Sequence, residues 1–581
     1  MSGLLPGVTA GDRRRGIAAI ATSAVAQALA AGVAAFATRA VFTALHDRDV
    51  PAALDAASKA GCGADCSAWL QVLEQLPLAA LSLIVGMGFA IALARTCERV
   101  LAERVGQAYA SEVRLRLFAH LTRMSASALG DRRNGTLALR FVGDLGAVRK
   151  WVSQGVARLI SCAIVLPSAT FVLFLISPAL AAAAALPLAL GLLAMAAAGM
   201  RLGPAHRRLR ARRSRLASDM LERLPHAPEL RLLGRLDIER ARLLRNSAAL
   251  LRSAVVHARS AALLRAIPDA AAGCAAAALL AAAFASGAPA ADAAGAMAAL
   301  GLVLQPMRTF ADVRDRHEAW RIARDRCERL LASPTLALHR RHDTPLADLP
   351  PRLRFRALEA GVLANFDARV VAGTKVAIIG PNGAGKSTLL RLAAGLEQPD
   401  AGRVTISGRA PGALRPRERR QTIAHLGPRS PILAGSLRRV LTMGSSQRVD
   451  DTDVDALARS FGLAGVLTRL GGLDGHVAEA GRNLSSGEAR RMLLSRVALS
   501  GARLWLLDEP EDGLDALGQE RLAQMLRETT ATVLIVTHSI ELARRMDTLW
   551  LVDGGRLVDE GPPTRVLAGK AAIHLQPESA A

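Results

Sequence analysis

Uncharged apolar segments alternate with basic segments through the first half of the chain. The apolar segments lie at about residues 16–38, 76–94, 159–177, 179–200, 266–286 and 290–308. A helix that crosses a bilayer needs about 20 apolar residues, so each segment is long enough to be a membrane span. The pattern therefore predicts six membrane-spanning helices. The basic stretches 95–158 and 201–265 are predicted to be helical continuations beyond the membrane.

Two turns divide the longest apolar runs. Ser177 and Pro178 interrupt the first run, and the sequence Ser-Gly-Ala-Pro at 286–289 interrupts the second. Serine, glycine and proline favour turns over helix interiors.

Two acidic residues, Asp269 and Asp292, lie close to the ends of predicted spans. We expect both carboxylates to be solvated at the membrane interface.

Lysine and arginine are distributed unequally between the two sides of the predicted spans. They are concentrated in the N-terminus, in 95–158, in 201–265 and after residue 307, and the remaining loops contain few. Positively charged loops stay on the cytoplasmic side of a membrane. Both chain termini are therefore predicted to be cytoplasmic.

The pattern changes after residue 335. Residues 336–351 are rich in proline and charge, as a linker is, and residues 571–581 form a polar tail. Between them, short apolar runs of strand length alternate with segments of helical spacing, which is typical of an α/β domain. The sequence thus predicts a transmembrane domain at 1–335, a linker, and an α/β domain at 352–570.

The composition supports a membrane part joined to a soluble part. The 581 residues are 51% hydrophobic yet 21% charged, with a net charge of +24. Because the arginines lie between the apolar segments and do not form one stripe, we expect no nucleic-acid partner and favour membrane topology as the cause. Cys62 and Cys66 lie in a predicted outside loop, where either a disulfide or two free thiols would fit.

A glycine-rich loop opens the chemistry of the C-terminal domain. It follows an apolar strand and precedes a helical segment, which is the context of a phosphate-binding loop. Glycines let successive backbone N–H groups point at one anion, and the helix N-terminus adds positive potential. The predicted phosphate-binding residues are Gly380, Pro381, Asn382, Gly383, Ala384, Gly385, Lys386, Ser387 and Thr388. Lys386 would contact the β- and γ-phosphates, and the hydroxyl of Ser387 would bind Mg²⁺.

Acidic and imidazole groups follow two later apolar strands. Asp508 and Glu509 end the first strand, and His538 follows the second, at 532–536. Asp508 is suited to holding Mg²⁺, and Glu509 is suited to orienting and deprotonating an attacking water molecule. His538 could reach a γ-phosphate. A third segment, with Ser485, Ser486 and Gly487 before an arginine-rich helix, has the form of a helix cap or an anion site.

The order of these motifs closely resembles that of the ATP-binding cassette (ABC) proteins. The resemblance covers about 350–565 and rests on the phosphate loop, Leu-Ser-Ser-Gly-Glu, Leu-Leu-Asp-Glu-Pro, Gly-Leu-Asp515 and Thr-His538. The N-terminal half resembles, more loosely, the six-span exporter-type membrane domain. The implied fold is an α-helical six-span transmembrane domain followed by an α/β P-loop cassette. The implied protein is a half-transporter of a bacterial inner membrane, surrounded by lipid, with a cytoplasmic cassette that uses ATP and Mg²⁺.

The resemblance also implies how the sites are completed. In this family, two cassettes enclose two ATP molecules, each between the phosphate loop of one chain and the signature of the other. Ser485, Ser486 and Gly487 would therefore face ATP that is bound by a second half-transporter, which is either the same chain or a homologous one. Asp515 resembles the acid that links the two sites, and the transported substrate is not encoded by any motif.

Two positions depart from the family pattern. Val362 replaces the aromatic residue that stacks on adenine, and Pro428 replaces the glutamine that connects Mg²⁺ and water to the membrane domain. These changes predict weaker nucleotide affinity or altered coupling. Two alternatives to a homodimeric exporter are a subunit of a heterodimeric thiol exporter of the cytochrome-assembly type and a membrane-bound ATP sensor without transport. A third is a soluble-type ABC protein acting on nucleic acid or ribosomes, and the six predicted spans count against it.

Overall fold

The chain, in a computed structural model, forms two compact units. The structure describes residues 5–7, 11–47, 77–130, 143–336, 349–428 and 430–568. The first unit contains Met1–Thr122 and Arg132–Ser333, and the second contains Pro334–Ala581 together with Arg123–Asp131. Cys62 and Cys66 lie outside the described residues. The described cysteines, Cys97, Cys162, Cys274 and Cys327, are free thiols.

Within the described ranges, six helices of the first unit are long and apolar enough to cross a membrane. They are α1 (Arg13–Asp47), α2 (Leu78–Leu121), α4 (Leu145–Ile176), α5 (Pro178–Arg223), α7 (Leu236–Ser286) and α8 (Ala290–Leu331). A short helix α6 (Ala227–Leu232) lies between α5 and α7. Several helices extend far beyond bilayer thickness. This half of the predicted fold class is confirmed.

The two predicted turns separate neighbouring helices. Ser177 precedes α5, and its Oγ accepts a hydrogen bond from the N–H of Leu180, while Pro178 is the first helical residue. Proline is favoured there because its missing N–H has no helical partner in the first turn. Gly287 ends α7 with a φ of 62°, a left-handed conformation that glycine adopts without strain.

Small side chains allow close packing in the first unit. Its core combines alanines with larger residues such as Leu173, Leu279 and Met307. At Gly191 on α5, a Cβ atom would lie 2.5 Å from the Cβ of Ala271 on α7, so only glycine fits this crossing. Alanine and glycine at helix crossings let backbones approach where no hydrophobic effect drives association.

Asp269 and Asp292 are paired with arginines. Asp292 accepts a hydrogen bond from Nε of Arg39 at 2.6 Å, and Asp269 accepts one from Nε of Arg308 at 2.6 Å. The expectation of simple interfacial solvation is therefore wrong for Asp292, whose side chain is 18% exposed. An arginine partner reduces the cost of a carboxylate near apolar surroundings.

The second unit is built on a six-stranded sheet of order β11-β10-β3-β9-β8-β5, in which all strands except β11 are parallel. A three-stranded antiparallel sheet has the order β2-β1-β4, and β6 pairs with β7. The strands are β1 (Leu353–Ala360), β2 (Leu363–Val370), β3 (Lys375–Ile379), β4 (Ala401–Ile406), β5 (Ile423–Leu426), β6 (Gly435–Ser436), β7 (His476–Val477), β8 (Leu504–Asp508), β9 (Thr532–Val536), β10 (Thr548–Asp553) and β11 (Arg556–Gly561).

Helices cover the parallel sheet and bury its strands. They are α9 (Lys386–Ala393), α10 (Pro416–Thr422), α11 (Leu437–Leu441), α12 (Asp451–Ser460), α13 (Ala464–Leu470), α14 (Ser486–Leu499), α15 (Ala516–Glu528), α16 (Ile540–Arg544) and α17 (Pro563–Ala568). Every residue of β8 and β9 is buried, as expected for central parallel strands. The α/β half of the predicted fold class is confirmed.

The antiparallel sheet packs against the parallel sheet through three aromatic side chains. Phe355 and Phe366 contact Trp550 on β10, with ring centroids 6.2 Å apart in each case. All three side chains are fully buried. This cluster fixes the turn between β1 and β2, which carries Val362, relative to the parallel sheet.

The segment Arg123–Asp131 is held by the second unit. Its helix α3 (Ala126–Gly130) begins where the N–H of Ala126 donates to the carbonyl of Leu396 at 3.0 Å. Ser127 donates from both its N–H and its Oγ to the carboxylate of Glu397, at 2.7 Å and 2.9 Å. A piece of chain between the second and third spans is therefore a structural part of the C-terminal unit.

Candidate functional site

Four neighbouring parallel strands end at one edge of the sheet. Ile378 of β3 pairs with Val536 of β9, and Val536 pairs with Asp508 of β8. Leu507 pairs in turn with Leu426 of β5. The residues that follow these strands are therefore neighbours along the carboxyl edge, where open α/β sheets bind ligands. They are the glycine-rich loop, His538, Glu509 and Pro428.

Glycine is required at two points of the loop 380–385. Gly380 has a φ of 148°, and a Cβ there would lie 1.9 Å from the carbonyl oxygen of Val552. Gly385 has a φ of 98° and caps α9, and its Cβ would lie 2.7 Å from the side chain of Leu363. The loop thus turns directly into a helix N-terminus, which is an arrangement that favours anion binding by backbone N–H groups.

Lys386 folds back across this loop. Its Nζ donates hydrogen bonds to the carbonyls of Gly380 at 2.6 Å and Pro381 at 3.0 Å. Burial lowers the pKa of the Lys386 ammonium, while Glu509 and Asp508 act in the opposite direction. A cation at the centre of the loop matches the charge of a polyphosphate.

Ser387 and Asp508 bring together two oxygen ligands. The Oγ of Ser387 donates to Oδ1 of Asp508 at 3.2 Å. Burial raises the pKa of the Asp508 carboxyl, and the hydrogen bond from Ser387 offsets part of this rise. Oxygen donors suit Mg²⁺, which completes its shell with water and phosphate oxygens. The pair fits the metal, and among the described residues no group of three or more His, Cys, Asp or Glu could hold one alone.

Glu509 and His538 lie in contact beside that pair. Nε2 of His538 is 3.0 Å from Oε1 of Glu509. Glu509 has a φ of 48°, which is unusual for a residue with a side chain. Its N–H donates to the carbonyl of Val536 at 2.9 Å, which ties this backbone to β9. The arrangement places a carboxylate and an imidazole together at the strand ends.

Glu511 and Arg490 are two supporting residues that motif spacing did not identify as site residues. Glu511 is held by the Oγ1 of Thr537 and by the N–H of His538, the latter at 3.1 Å, and burial raises the pKa of the Glu511 carboxyl. The buried guanidinium of Arg490 donates to the carbonyls of Asp508 at 3.0 Å, Glu509, and Pro510 at 3.2 Å. Arg490 thus joins the helix that follows the signature to the loop that bears Glu509.

The signature segment begins α14 as a capping box. Ser485 Oγ accepts from the N–H of Glu488 at 3.2 Å, and the carboxylate of Glu488 accepts from the N–H of Ser485 at 2.8 Å. Arg469 donates two hydrogen bonds to Glu488 and lowers its pKa to about 2. Ser486 and Gly487 occupy the first helical turn. The structure therefore gives this segment a rigid N-terminus with its polar end exposed.

Asp515 begins α15 in a similar way. Its side chain accepts from the N–H of Gly518 at 3.0 Å, which lowers the pKa of the Asp515 carboxyl, and it also pairs with Arg491 at 3.0 Å. Arg491 and Arg490 are neighbours on α14. The described contacts of Asp515 thus connect it to the signature helix of its own chain.

Val362 and Pro428 flank the loop and the acidic edge. Val362 is 56% exposed, and its Cγ2 lies 3.2 Å from the position of a Cβ on Gly385. The side chain thus borders the phosphate loop on its solvent side. Pro428 follows β5, is exposed, and has no side-chain atom that could bind a metal or water.

Two family profiles match successive parts of the chain. The profile described as "ABC transporter transmembrane region" matches residues 16–289, and the one described as "ABC transporter" matches residues 363–512.

Curated relatives match parts of the chain. It is 37% identical over 215 residues to the lipoprotein-releasing system ATP-binding protein LolD of Ruegeria sp. (strain TM1040), covering 35% of this chain and 90% of that protein. It is 35% identical over 210 residues to the glutathione/L-cysteine transport system ATP-binding/permease protein CydC of Escherichia coli (strain K12), covering 36% of each chain. It is 31% identical over 272 residues to the mycobactin import ATP-binding/permease protein IrtB of Mycolicibacterium thermoresistibile, covering 46% of this chain and 47% of that relative. The match thus spans about a third to half of the length of these two fused relatives.

A solved structure matches the whole fold. The structure of a bacterial Atm1-family ABC exporter with ATP bound has a TM-score of 0.81 over 98% of this chain and 100% of that chain. The sequence identity is 20%, so this likeness concerns the fold.

Proposed function

Because this chain belongs to the ABC transporters and fuses a transmembrane region to an ATP-binding cassette, we propose that it is one half of a dimeric, ATP-driven exporter. The chain is a multi-pass membrane protein with an exporter-type fold. The observation that carries the proposal is the convergence of Lys386, Ser387, Asp508, Glu509 and His538 on one sheet edge.

Each of these side chains has a role in hydrolysis that follows from its position. Lys386 and the N–H groups of loop 380–388 bind the β- and γ-phosphates of ATP. Ser387 and Asp508 would hold Mg²⁺, and the bound ion would neutralise charge on the phosphates. Glu509 orients the attacking water and accepts its proton. His538 donates a hydrogen bond towards the γ-phosphate and holds the carboxylate of Glu509 in place. Positioning and charge stabilisation of this kind supply most of the catalysis of phosphoryl transfer.

The second half of each nucleotide site comes from another chain. Ser485, Ser486 and Gly487 form an exposed helix N-terminus, which is suited to an anionic γ-phosphate. In its own chain, the Oγ of Ser485 accepts from the N–H of Glu488, and the N–H of Ser485 donates to the carboxylate of Glu488. A second half-transporter, either a copy of this chain or a homologue, would place its signature on this loop. Closure of two cassettes around ATP would then switch the spans between inward and outward openings.

The distribution of basic residues supports the orientation. The extensions of α2, α5, α7 and α8 beyond their apolar portions are rich in lysine and arginine, which supports a cytoplasmic position for them, for both termini and for the cassette at a bacterial inner membrane. The exporter-type fold supports outward transport, towards the outside of the cell.

A heterodimeric thiol exporter is a second candidate. Its support is the identity of 32–35% to two CydC proteins named as parts of a glutathione/L-cysteine transport system, each over 36% of the relative. Pro428, in place of the expected glutamine, also fits a pair of unequal subunits. The matched portion is also similar to ABC proteins that are named for other substrates. We therefore prefer the first proposal, which is more general.

The test is ATPase activity of the full chain reconstituted in lipid. We expect Mg²⁺-dependent ATP hydrolysis, and we expect Glu509→Gln to lower kcat by about 100-fold or more, because it removes the base while ATP binding is retained. The matched control is Glu520→Gln, which makes the same change on the exposed side of α15 and leaves hydrolysis unchanged.

Two outcomes separate the alternatives. ATP binding without Glu509-dependent hydrolysis, both alone and after co-expression with a second half-transporter, would rule out a transport ATPase and favour a membrane-bound sensor. Hydrolysis that appears only after co-expression with a second half-transporter would favour the heterodimer.

A further inference from the structure

A large basic cavity lies among the long helices of the first unit. It has a volume of about 720 Å³ and is lined from α4, α5, α7 and α8. Its basic side chains are Arg149, Lys150, Arg210, Arg213, Arg265 and Arg316, and Asp312 is the one acidic side chain among the described residues that line it. We call this cavity the vestibule. In the proposed topology it lies on the cytoplasmic side.

Carboxylates neutralise only part of this charge. Asp312 is shared by three arginines, at 3.0 Å from Arg265, 3.2 Å from Arg158 and 4.0 Å from Arg316. Lys150 and Arg213 make no ion pair with any described residue. Within the described lining of the vestibule, carboxylates are therefore fewer than cations.

The remaining arginines also share their partners. Buried Asp144 pairs with Arg210 at 2.5 Å and with Arg326 at 3.5 Å, and Glu103 pairs with Arg149. Among the described residues that line the vestibule, six basic side chains thus face one carboxylate, so positive charge is in excess there. Like charges that line one cavity repel one another, and a bound anion would reduce that repulsion.

A second, smaller cavity adjoins the vestibule. It has a volume of about 290 Å³ and lies between α1, α2, α4 and α8, and we call it the inner chamber. Gln154 lines both cavities, and Arg158 lines the inner chamber while it pairs with Asp312 of the vestibule. The two ion pairs that Asp312 forms with Arg158 and Arg265 therefore lie between the vestibule and the inner chamber.

Polar and charged side chains line part of the inner chamber. Glu98 accepts hydrogen bonds from Gln27 at 2.6 Å and from Ser161 at 2.5 Å, and Arg95 donates to Gln305. Phe, Tyr and Trp are absent from the described lining of both cavities. Sites for flat apolar ligands usually include aromatic groups, so the described lining of these cavities lacks one feature of such sites.

We infer that the transported solute is a small hydrophilic anion with two or more negative charges, which the vestibule collects and passes to the inner chamber. The inference rests on the proposed function and specifies its substrate class. An anion in the vestibule would compensate the excess positive charge and would compete with Asp312 for Arg158 and Arg265. That competition would open the ion pair between the two cavities. Apolar cations are excluded by the same charge.

The test measures equilibrium binding of radiolabelled citrate to the full chain in lipid nanodiscs, at low ionic strength and without nucleotide. Trimethyl citrate, which has the same skeleton without charge, and spermidine, a cation, are the competing probes. We expect citrate to bind, and neither competitor to displace it. We expect the double variant K150Q/R213Q to weaken citrate binding by about tenfold, since it removes two positive charges from the vestibule lining.

Two further variants protect the test against a folding defect. Asp312→Asn removes the competing carboxylate and should tighten citrate binding, a change in the opposite direction to K150Q/R213Q. The control R212Q/R215Q removes two exposed arginines from the same helix α5 outside the cavity and should leave binding unchanged.

The inference is overturned if citrate does not bind, if trimethyl citrate or spermidine competes equally, or if K150Q/R213Q and R212Q/R215Q have the same effect. The results also distinguish a failure of this inference from a failure of the proposed function. Glu509-dependent ATPase without anion binding would reject the substrate class alone, and anion binding without ATPase would reject the exporter alone.

Discussion

Glu509 adopts a backbone conformation that most side chains avoid. Its φ of 48° costs on the order of 1 kcal/mol or more, and such strain persists only where the surroundings hold it. Here the N–H of Glu509 donates to Val536 and its carbonyl accepts from Arg490. The carboxylate is thereby directed to His538 at 3.0 Å. The strain is thus consistent with a group that is fixed in position before ATP arrives.

The first prediction concerns Val362. We expect Val362→Tyr to lower the Kd for ATP about three- to tenfold, because an aromatic ring beside the phosphate loop would stack on adenine. The measurement is equilibrium binding of ATP to the Glu509→Gln protein with and without the change. Val371→Tyr is the matched control, since Val371 is equally exposed, at 57%, in the turn before β3. Equal effects of the two changes would show that Val362 does not face the base.

Motif spacing predicted the acidic and phosphate-binding residues because their chemistry is tied to strand ends. It identified Lys386, Asp508 and Glu509 as candidates, and the structure brings them to one edge. Arg490 and Glu511 were missed for a physical reason. An arginine that binds three backbone carbonyls, and a glutamate that accepts from a backbone N–H, owe their roles to tertiary packing and have no sequence signature of their own.

At the scale of secondary structure, the N-terminus of α14 depends on a residue outside it. The capping box of Ser485 and Glu488 satisfies N–H groups that have no helical partner. Arg469, at the end of α13, holds the carboxylate of Glu488 with two hydrogen bonds. The position of the signature is therefore set by two helices together.

The second prediction is that Arg469→Gln lowers the thermal stability of the full chain at pH 7. The pKa of Glu488 is about 2 in the folded protein and near 4.5 when unperturbed, so its stabilising contribution is full above pH 4.5 and is lost as the pH falls towards 2. The difference in Tm between the two proteins should therefore narrow below pH 4.5. Arg469→Lys, which keeps the charge but loses the bidentate geometry, should lie between them.

A Tm difference that stays constant as the pH falls from 4.5 to about 2 would mean that Arg469 acts through packing and not through the charge of Glu488. Differential scanning fluorimetry in detergent over this pH range distinguishes the two.

Some elements could not be predicted from pattern. The turns at Ser177 and Gly287 follow from serine, proline and glycine chemistry. By contrast, α4 contains a π-helical turn at Trp151–Val156. The ring of Trp151 lies against Gly155 and stacks on Trp320 of α8 with centroids 5.3 Å apart. That irregularity depends on a contact across 169 residues of sequence, which no local periodicity encodes.

At the scale of the whole molecule, one chain carries one phosphate loop and one signature. The third prediction is a complementation test for two copies of this chain. Lys386→Ala and Ser485→Arg should each abolish ATPase activity alone. Co-expressed with different tags, they should recover activity, because a mixed dimer has both defects in one composite site and leaves the other intact.

The purified mixed dimer is assayed against a dimer of two differently tagged Lys386→Ala chains. Activity no higher than this control would mean that the two sites are not shared between copies of this chain. It would then point to a different half-transporter as the natural partner.

The sequence predicts the family and the six spans because both depend on local patterns. It does not predict the vestibule, whose charge arises from Lys150, Arg213, Arg265 and Arg316 on four separate helices. Along the chain, these residues belong to ordinary basic stretches. Only the packing of the helices places them around one space.

The contact of Ser127 with Glu397 has a consequence for how the protein is made. The ribosome synthesises Ser127 about 270 residues before Glu397, with four further spans to insert in between. At roughly 5–20 residues per second, this interval is on the order of tens of seconds. The segment Arg123–Asp131 must wait that long for its binding surface. A nascent chain that is stopped before residue 397 would therefore leave its membrane part inserted and this segment without its partner.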